Sequence, residues 1–301
     1  MESSQSTIET AQLTIAKAPR QSRERTFAPV DQLIVENVRR RFIDCATEEP
    51  ESFDCEEVEK IKTDDWPVYR FVSINNNNEE KSLQGLIATL RWRKKLGVRT
   101  VNENEFPDLI WRVGPLFLYE PDNQGRPTMY SRCKFVMGVK DISKWEQLFT
   151  AYQTWRIDEI ADGNGWTLIL DFADTGIRNA DFDLLRFFLN LLMNHFPRGI
   201  DNILVINLPF ILRMFWGLVK TWIPSDRVDI IKFVDSKSIQ EYISLDRLPN
   251  FLGGNCTRPY KGYEVCPKGC PDVFEYGTKE SGLPMKRMQE IYKIYEPLLE
   301  V

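Results

Sequence analysis

Few side chains in this chain are placed to do covalent or acid–base chemistry. His195 is the only histidine, so any Ser-His-Asp or Cys-His arrangement has a single base to draw on. It ends the apolar stretch Phe187-Phe188-Leu189-Asn190-Leu191-Leu192-Met193-Asn194-His195-Phe196, which reads as the end of a helix, where a histidine sits well on electrostatic grounds alone. The six cysteines, Cys45, Cys55, Cys133, Cys256, Cys266 and Cys270, are scattered. Only Cys266-Pro-Lys-Gly-Cys270, with Cys256 upstream, approaches the spacing of metal ligands. A structural zinc site takes four Cys or His ligands, so the expectation is free thiols and no metal. The chain has no Gly-x-Ser-x-Gly elbow, no Gly-x4-Gly-Lys-Ser/Thr loop and no Gly-x-Gly-x-x-Gly, the motifs of serine hydrolases, phosphate loops and dinucleotide binders. Its 44 acidic residues form no evident acid/base pair. The expectation is a protein that is not an enzyme and needs no cofactor.

The bulk properties point the same way. The 301 residues are 43% hydrophobic and 12% aromatic, enough for a sizeable core in one large domain or two modest ones. A net charge of -5 leaves no basic footprint for nucleic acid. No stretch has the order of a signal peptide or the length of a membrane span. A soluble, cytoplasmic protein is expected.

One segment stands out. From Phe210 to Ile223 the chain is apolar on nearly every helical face, relieved by Arg213, Gly217, Lys220 and Thr221. A surface helix normally carries an apolar stripe and a charged face. This segment is too short to cross a bilayer, which takes about 20 apolar residues. It is either a buried core helix or a cover over something greasy that also touches a membrane surface.

The elements around it follow from periodicity. Residues 1–29, rich in Ser, Thr, Gln and Arg, read as a disordered arm. Residues 30–105 read as a helical N-terminal lobe: a helix capped by Asp31 with Ile34, Val38 and Phe42 on one face, helices near Glu56–Lys62 and Pro67–Ile74, and a long one over Glu79–Leu96. Arg39-Arg40-Arg41 reads as a solvated face. Over 106–256 the pattern changes. Pro115–Glu120 and Thr128–Phe135 read as a hairpin about the Asp122-Asn123-Gln124-Gly125-Arg126-Pro127 turn. Helix Asp141–Ala161 follows, then strand Trp166–Phe172, helix Phe182–Phe196, strand Ile203–Asn207, the greasy helix Phe210–Ile223, strand Ile230–Val234 and a short helix at Ser238–Ser244. Such alternation argues for crossover units and a mixed sheet. Residues 257–301 read as an irregular Gly/Pro/Cys-rich stretch and a final helix, Pro284–Tyr295, docking on the domain.

This order resembles the CRAL-TRIO lipid-binding family. Leu90-Arg91-Trp92-Arg93-Lys94-Lys95-Leu96-Gly97-Val98 is similar to the helix that closes its N-terminal lobe. Asp122–Pro127 is similar to its Asp-x-x-Gly-Arg-Pro hairpin, and Leu168-Ile169-Leu170-Asp171 to its first central strand. Phe196-Pro197 and Val205-Ile206-Asn207-Leu208-Pro209-Phe210 resemble its Tyr-Pro and Ile-Ile-Asn-x-Pro signatures, and Leu248-Pro249-Asn250-Phe251-Leu252-Gly253-Gly254 its closing Leu-Pro-x-x-x-Gly-Gly. Asp174-Thr175-Gly176-Ile177, Val219-Lys220-Thr221-Trp222, Lys232-Phe233 and Gln240-Glu241-Tyr242-Ile243-Ser244 resemble more narrowly the CRAL-TRIO half of the motile sperm domain-containing protein 2 family.

The resemblance implies an α/β fold with an all-helical N-terminal lobe, a mixed sheet with crossover helices, and a hydrophobic pocket under a gate helix. It implies non-enzymatic binding of a small hydrophobic lipid, with transfer or sensing at cytosolic faces of endomembranes, where the protein would sit peripherally. The rival reading is a membrane or lipid-droplet recruitment module with a vestigial pocket. Trp166, Leu168 and Leu170, alternating on one strand face, are expected to floor the pocket together with Phe210. Phe215, Trp216, Val219 and Trp222 are expected on the gate, facing the membrane. Arg93 and Lys232 are the candidate headgroup contacts, and Arg213 and Lys220 the residues to meet lipid phosphates. Family members that bind phosphatidylinositol have a Glu after the Tyr-Pro and a Lys opening the strand after the gate; here those positions are Arg198 and Ile230. Phosphatidylinositol is therefore expected to bind poorly.

Overall fold

The computed structural model describes residues 29–299; the proposed arm over 1–29 lies outside them except for Pro29. Helix α1 (Gln32–Glu48) starts where Asp31 accepts a hydrogen bond from the Leu33 N–H, and buries Val35, Val38, Phe42 and Ala46. Helices α2 (Cys55–Thr63) and α3 (Trp66–Ile74) follow. Helix α4 (Glu79–Leu96) is capped by Asn78 and stops at Gly97, whose φ of 73° is the left-handed geometry glycine adopts freely. These four helices close on a core of Val35, Val38, Phe42, Phe71, Val72, Leu86 and Leu90. The Arg39-Arg40-Arg41 run is not simply a solvated face. Arg39 bonds the Ile61 carbonyl and pairs with Asp65, and Arg41 pairs with Glu79 and Glu80. Two of its three guanidiniums join helices, and of the three residues Arg40 is the exposed one.

Helix α5 (Asp108–Val113) leads into the sheet. Strands β1 (Leu116–Tyr119), β2 (Thr128–Arg132), β3 (Trp166–Asp171), β4 (Ile200–Ile206) and β5 (Ile231–Val234) lie in that spatial order. The first pair is antiparallel and the others parallel. Helix α6 (Ser143–Ala161) precedes β3, and α7 (Phe182–Asn190) precedes β4. The chain does not continue α7 to Phe196 as an α-helix. It widens into a π turn over Leu191–His195 and stops before Pro197, which disfavours helical geometry in the residue ahead of it.

Alternation along the strands splits the sheet into two apolar faces. Ile169, Leu204, Ile206, Phe117 and Tyr130 pack against Ile239, Ile243, Leu248 and Leu252. The other face, with Leu168, Ile203 and Val205, turns towards α6 and α7. The sheet is thus covered on both sides, which is why its central strands read as near-continuous apolar runs. The Leu248–Gly254 motif has a steric origin: Gly253 is left-handed at φ 84°, and a Cβ on Gly254 would collide with the Leu248 carbonyl.

Other elements differ from expectation too. The Phe210–Ile223 segment is not one helix but two short ones, α8 (Phe210–Arg213) and α9 (Trp216–Lys220), joined through Met214 and Phe215. And the Cys256–Pro284 stretch contains a helix, α10 (Val273–Lys279), capped by Asp272. Val273 and Gly277 of α10 are buried where it packs on the final helix, α11 (Met285–Tyr295). Both belong to a third core with Leu109, Phe135, Ile142 and Trp145. The glycine and proline content hid α10, because a tertiary contact stabilises a helix that its own propensity does not.

Candidate functional site

The inner sheet face and the helices above it enclose a cavity of about 290 Å³. Its floor is Leu168 and Leu170 from β3, Ile203 and Val205 from β4, and Ile231 and Phe233 from β5. Its walls come from Trp145, Glu146, Phe149 and Thr150 of α6, from Leu185, Phe188 and Leu189 of α7, and from Ile291 and Tyr295 of α11. Leu212, Phe215, Trp216, Val219 and Ile223 close it from the α8–α9 segment. Two ring contacts hold this cover down. Phe215 meets Phe182 edge-on at 5.4 Å, and Trp216 meets Phe233 edge-on at 5.2 Å.

The two faces of the cover differ in direction but not in polarity. Leu212, Phe215, Trp216, Val219 and Ile223 recur at helical spacing and point inward. Phe210, Ile211, Met214 and Leu218 are 80, 42, 69 and 48% exposed, and Arg213 and Lys220 are exposed beside them. Apolar surface turned out to water is unfavourable at roughly 25 cal/mol per Å², so a contiguous run of it marks a contact site.

The structure redistributes the expected site residues. Leu168 and Leu170 line the cavity. Trp166 does not: it is fully buried at the start of β3, with its indole beside Gly199, two strand positions from Leu168 and beyond the cavity's end. Phe210 is on the outer surface, because it opens α8 just after Pro209 and precedes the inward-facing positions. Phe215, Trp216 and Val219 face the cavity rather than the exterior. Trp222 is half-buried against Phe182 at 6.2 Å and beneath the Arg186 guanidinium at 4.8 Å, tying the end of the cover to α7.

Neither candidate headgroup residue reaches the cavity wall. Arg93 pairs with Glu57 at 3.1 Å, donates to the His195 carbonyl at 2.9 Å and lies over Phe196 at 4.3 Å. It is a joint between the helical lobe and the end of α7. Lys232 alternates with Ile231 and Phe233, so it points to the opposite side of β5, and it is exposed. Ile230 precedes β5 in a 3-10 turn, so it does not share a strand face with Lys232.

His195 is likewise structural. Its ring stacks on Trp92 at 3.9 Å and 9°, and Nδ1 lies 3.3 Å from Thr89 Oγ1. Burial, helped by the Arg93 charge, brings its pKa down to about 4, so it is neutral at physiological pH. All six cysteines are free, and among the described residues no group of three His, Cys, Asp or Glu is placed to hold a metal ion.

The residue pattern did not point to Glu146, Asp181 and Tyr295, which with Cys133 are the ionisable groups of the cavity wall. Burial, then the Asp181 charge, raises the Glu146 carboxyl to about 7. One signal was available. Glu146 follows Trp145 and sits three residues before Phe149, a charged residue between two large aromatics of one helix.

Comparison with known proteins bears directly on this arrangement. Residues 112–254 match the CRAL/TRIO domain family. A CRAL-TRIO domain-containing protein of Schizosaccharomyces pombe is 25% identical over 209 residues, covering 65% of this chain and 47% of that protein. Phosphatidylinositol/phosphatidylcholine transfer protein SFH12 of Arabidopsis thaliana is 27% identical, over 65% of this chain and 40% of its own length. The Sec14 cytosolic factor of S. pombe is 24% identical, over 69% of this chain and 78% of its own. The matches thus span less than half of the first two relatives. The crystal structure of Sfh5 superposes with a TM-score of 0.57 at 14% identity, covering 86% of this chain and 97% of that one. It shares the fold, a helical lobe followed by a mixed five-stranded sheet under helices. Within the CRAL-TRIO stretch, the β3, β4 and Leu248–Gly254 motifs are those that build the cavity floor and close the sheet's outer face. Among the described residues no helix is long and apolar enough to cross a membrane.

Proposed function

We propose that this protein binds one hydrophobic lipid in the cavity and exchanges it at a membrane surface through the α8–α9 cover, without covalent chemistry. The observation that carries the reading is the cover itself: one segment, apolar inside where it lines the cavity and apolar outside where Phe210, Ile211, Met214 and Leu218 meet solvent. A carrier has to offer an acyl or ring system an environment that replaces the bilayer, with few polar groups to orient it. Its lid has to rest on a membrane while open. Relatives named as phosphatidylinositol/phosphatidylcholine transfer proteins and as a Sec14 cytosolic factor support the lipid part of the reading. Lipid-pocket roles for Leu168 and Leu170, and gate roles for Phe215, Trp216 and Val219, belong to this proposal. So do the division at residues 30–105, 106–256 and 257–301, peripheral action at the cytosolic face of endomembranes, and the narrower kinship with motile sperm domain-containing protein 2.

Native mass spectrometry of the purified chain, with lipid extraction, tests the first half. A stoichiometric co-purifying lipid is expected. An empty protein that still binds liposomes would favour the recruitment module instead. Liposome co-sedimentation of outer-face variants tests the second half.

A further inference from the structure

Three side chains of the cavity wall carry an amide or a carboxyl group. Asn179 donates to the Lys134 and Val136 carbonyls at 3.0 and 2.9 Å and accepts from the Gly176 N–H at 3.0 Å. Asp181 Oδ1 caps α7, accepting from the Asp183 and Leu184 N–H groups at 3.0 and 2.9 Å. Glu146 is different. The Tyr295 hydroxyl donates to its Oε1 at 3.3 Å, and no hydrogen bond among the described residues reaches Oε2. The charge that acts on it is the Asp181 carboxylate, a like charge, and the Tyr295 hydroxyl is a neutral donor. Two other buried carboxylates have cationic partners: Asp158 has Arg70, and Asp122 has Arg126. A largely buried carboxyl without one is costly, and such groups cluster where they meet a ligand.

We propose that Glu146, with Tyr295 beside it, receives the polar end of the bound lipid, and that this end is an uncharged hydroxyl group rather than a phosphate or a carboxylate. The inference rests on the lipid-binding reading of the cavity. A hydroxyl donates to Glu146 Oε2 while the Tyr295 O–H keeps its bond to Oε1, so that both carboxyl oxygens are satisfied. A phosphate or carboxylate end would lie beside two carboxyl groups with no cation to offset the repulsion. The remaining wall, from Leu168 and Phe188 to Trp216, is mostly apolar and takes the rest of the molecule.

The test uses the full chain with diphenylhexatriene as a fluorescent cavity probe. The competitors at pH 8 are hexadecanol, its methyl ether, hexadecylamine and hexadecanoate. Hexadecanol is expected to displace the probe about tenfold more tightly than the ether or hexadecanoate. Glu146→Leu is expected to shrink the alcohol–ether gap below twofold, each competitor being read against that variant's own probe affinity. Glu146→Gln, whose amide oxygen still accepts, is expected to keep the gap. Equal affinity for alcohol and ether, a gap that survives in the leucine variant, or amine or hexadecanoate preferred over hexadecanol would overturn the assignment while leaving the cavity a lipid site. A chain that binds neither probe nor any competitor would overturn the lipid-binding reading, and this inference with it.

Discussion

Arg70 of α3 clasps Asp158 of α6 through two parallel hydrogen bonds, 2.6 Å from Nη1 to Oδ2 and 2.9 Å from Nη2 to Oδ1, with both side chains buried. Its Nε donates to the Pro197 carbonyl at 2.7 Å. One guanidinium therefore locks the helical lobe to α6 and to the turn that follows α7. Burial alone pushes the Asp158 carboxyl up, but Arg70, with Arg93 and Lys60 behind it, outweighs burial and holds it below the usual carboxylate range. Gly199 makes the clasp possible, since a Cβ there would meet Asp158 Oδ1 at 2.5 Å and Arg70 Nη2 at 3.0 Å.

Arg70→Ala is expected to cost about 3–5 kcal/mol, the range for breaking one partner of a buried pair. Gly199→Ala should act in the same direction by displacing both groups. Urea denaturation checks this. A loss under 1 kcal/mol for Arg70→Ala would mean that the pair is not buried in solution as described.

The outer and inner faces of the cover are separable. Met214→Asp with Leu218→Asp should sharply lower liposome co-sedimentation and leave thermal stability within a few degrees, because both side chains are already in water. Trp216→Asp should instead lower stability and displace the cavity ligand, since it puts a charge against Phe233 and the cavity. If the outer pair can be replaced with no loss of membrane binding, the cover does not face the bilayer.

Two titrating groups give stability opposite pH slopes. Glu146 has a raised folded pKa, about 7. The folded state holds that proton more tightly than the unfolded chain, so its contribution is complete below about pH 4.3 and is lost as pH rises through 7. His195 has a depressed folded pKa, about 4. Its contribution is present above about 6.5 and is lost as pH falls from there towards 4. Glu146→Gln should therefore gain stability relative to the parent between pH 5 and 8, by up to about 3 kcal/mol from the linkage relation. His195→Gln should flatten the acid side. Denaturation midpoints measured across pH 4–8 decide both.

Headgroup selectivity should not depend on Lys232. It points away from the cavity, so Lys232→Ala should leave lipid competition unchanged. Arg93→Ala should lower stability, because it removes the partner of Glu57 and the donor to the His195 carbonyl. Phosphatidylinositol is expected to compete weakly in the same assay. Tight phosphatidylinositol binding abolished by Lys232→Ala would place the headgroup on the opposite side of β5.

Gly254→Ala is expected to destabilise by more than an ordinary surface substitution, since its Cβ would strike backbone at Leu248 rather than a movable side chain. A thermal shift within a degree of the parent would show that the Leu248–Gly254 turn can open without cost.

Much of the fold was legible in residue order. The four-residue spacing of Ile34, Val38 and Phe42, with Asp31 ahead of it, announced α1, although the structure buries Val35 more fully than Ile34. The Asn78 and Gly97 stops set α4 within its observed bounds. The apolar run of β3 announced a strand covered on both faces, because local capping and periodicity are short-range effects that the chain carries with it. The site was legible only in part. Leu168 and Leu170 follow from alternation on a strand. Which side of the Phe210–Ile223 segment faces the cavity does not, since that segment is apolar on nearly every side and its pattern names no inward direction. Only the packing of Phe215 on Phe182 and Trp216 on Phe233 chose it. The roles of Arg93 and Glu146 were decided the same way. A guanidinium or a carboxyl acquires its function from the groups that surround it in space, and His195, Glu57, Asp181 and Tyr295 are brought to them only by the tertiary fold.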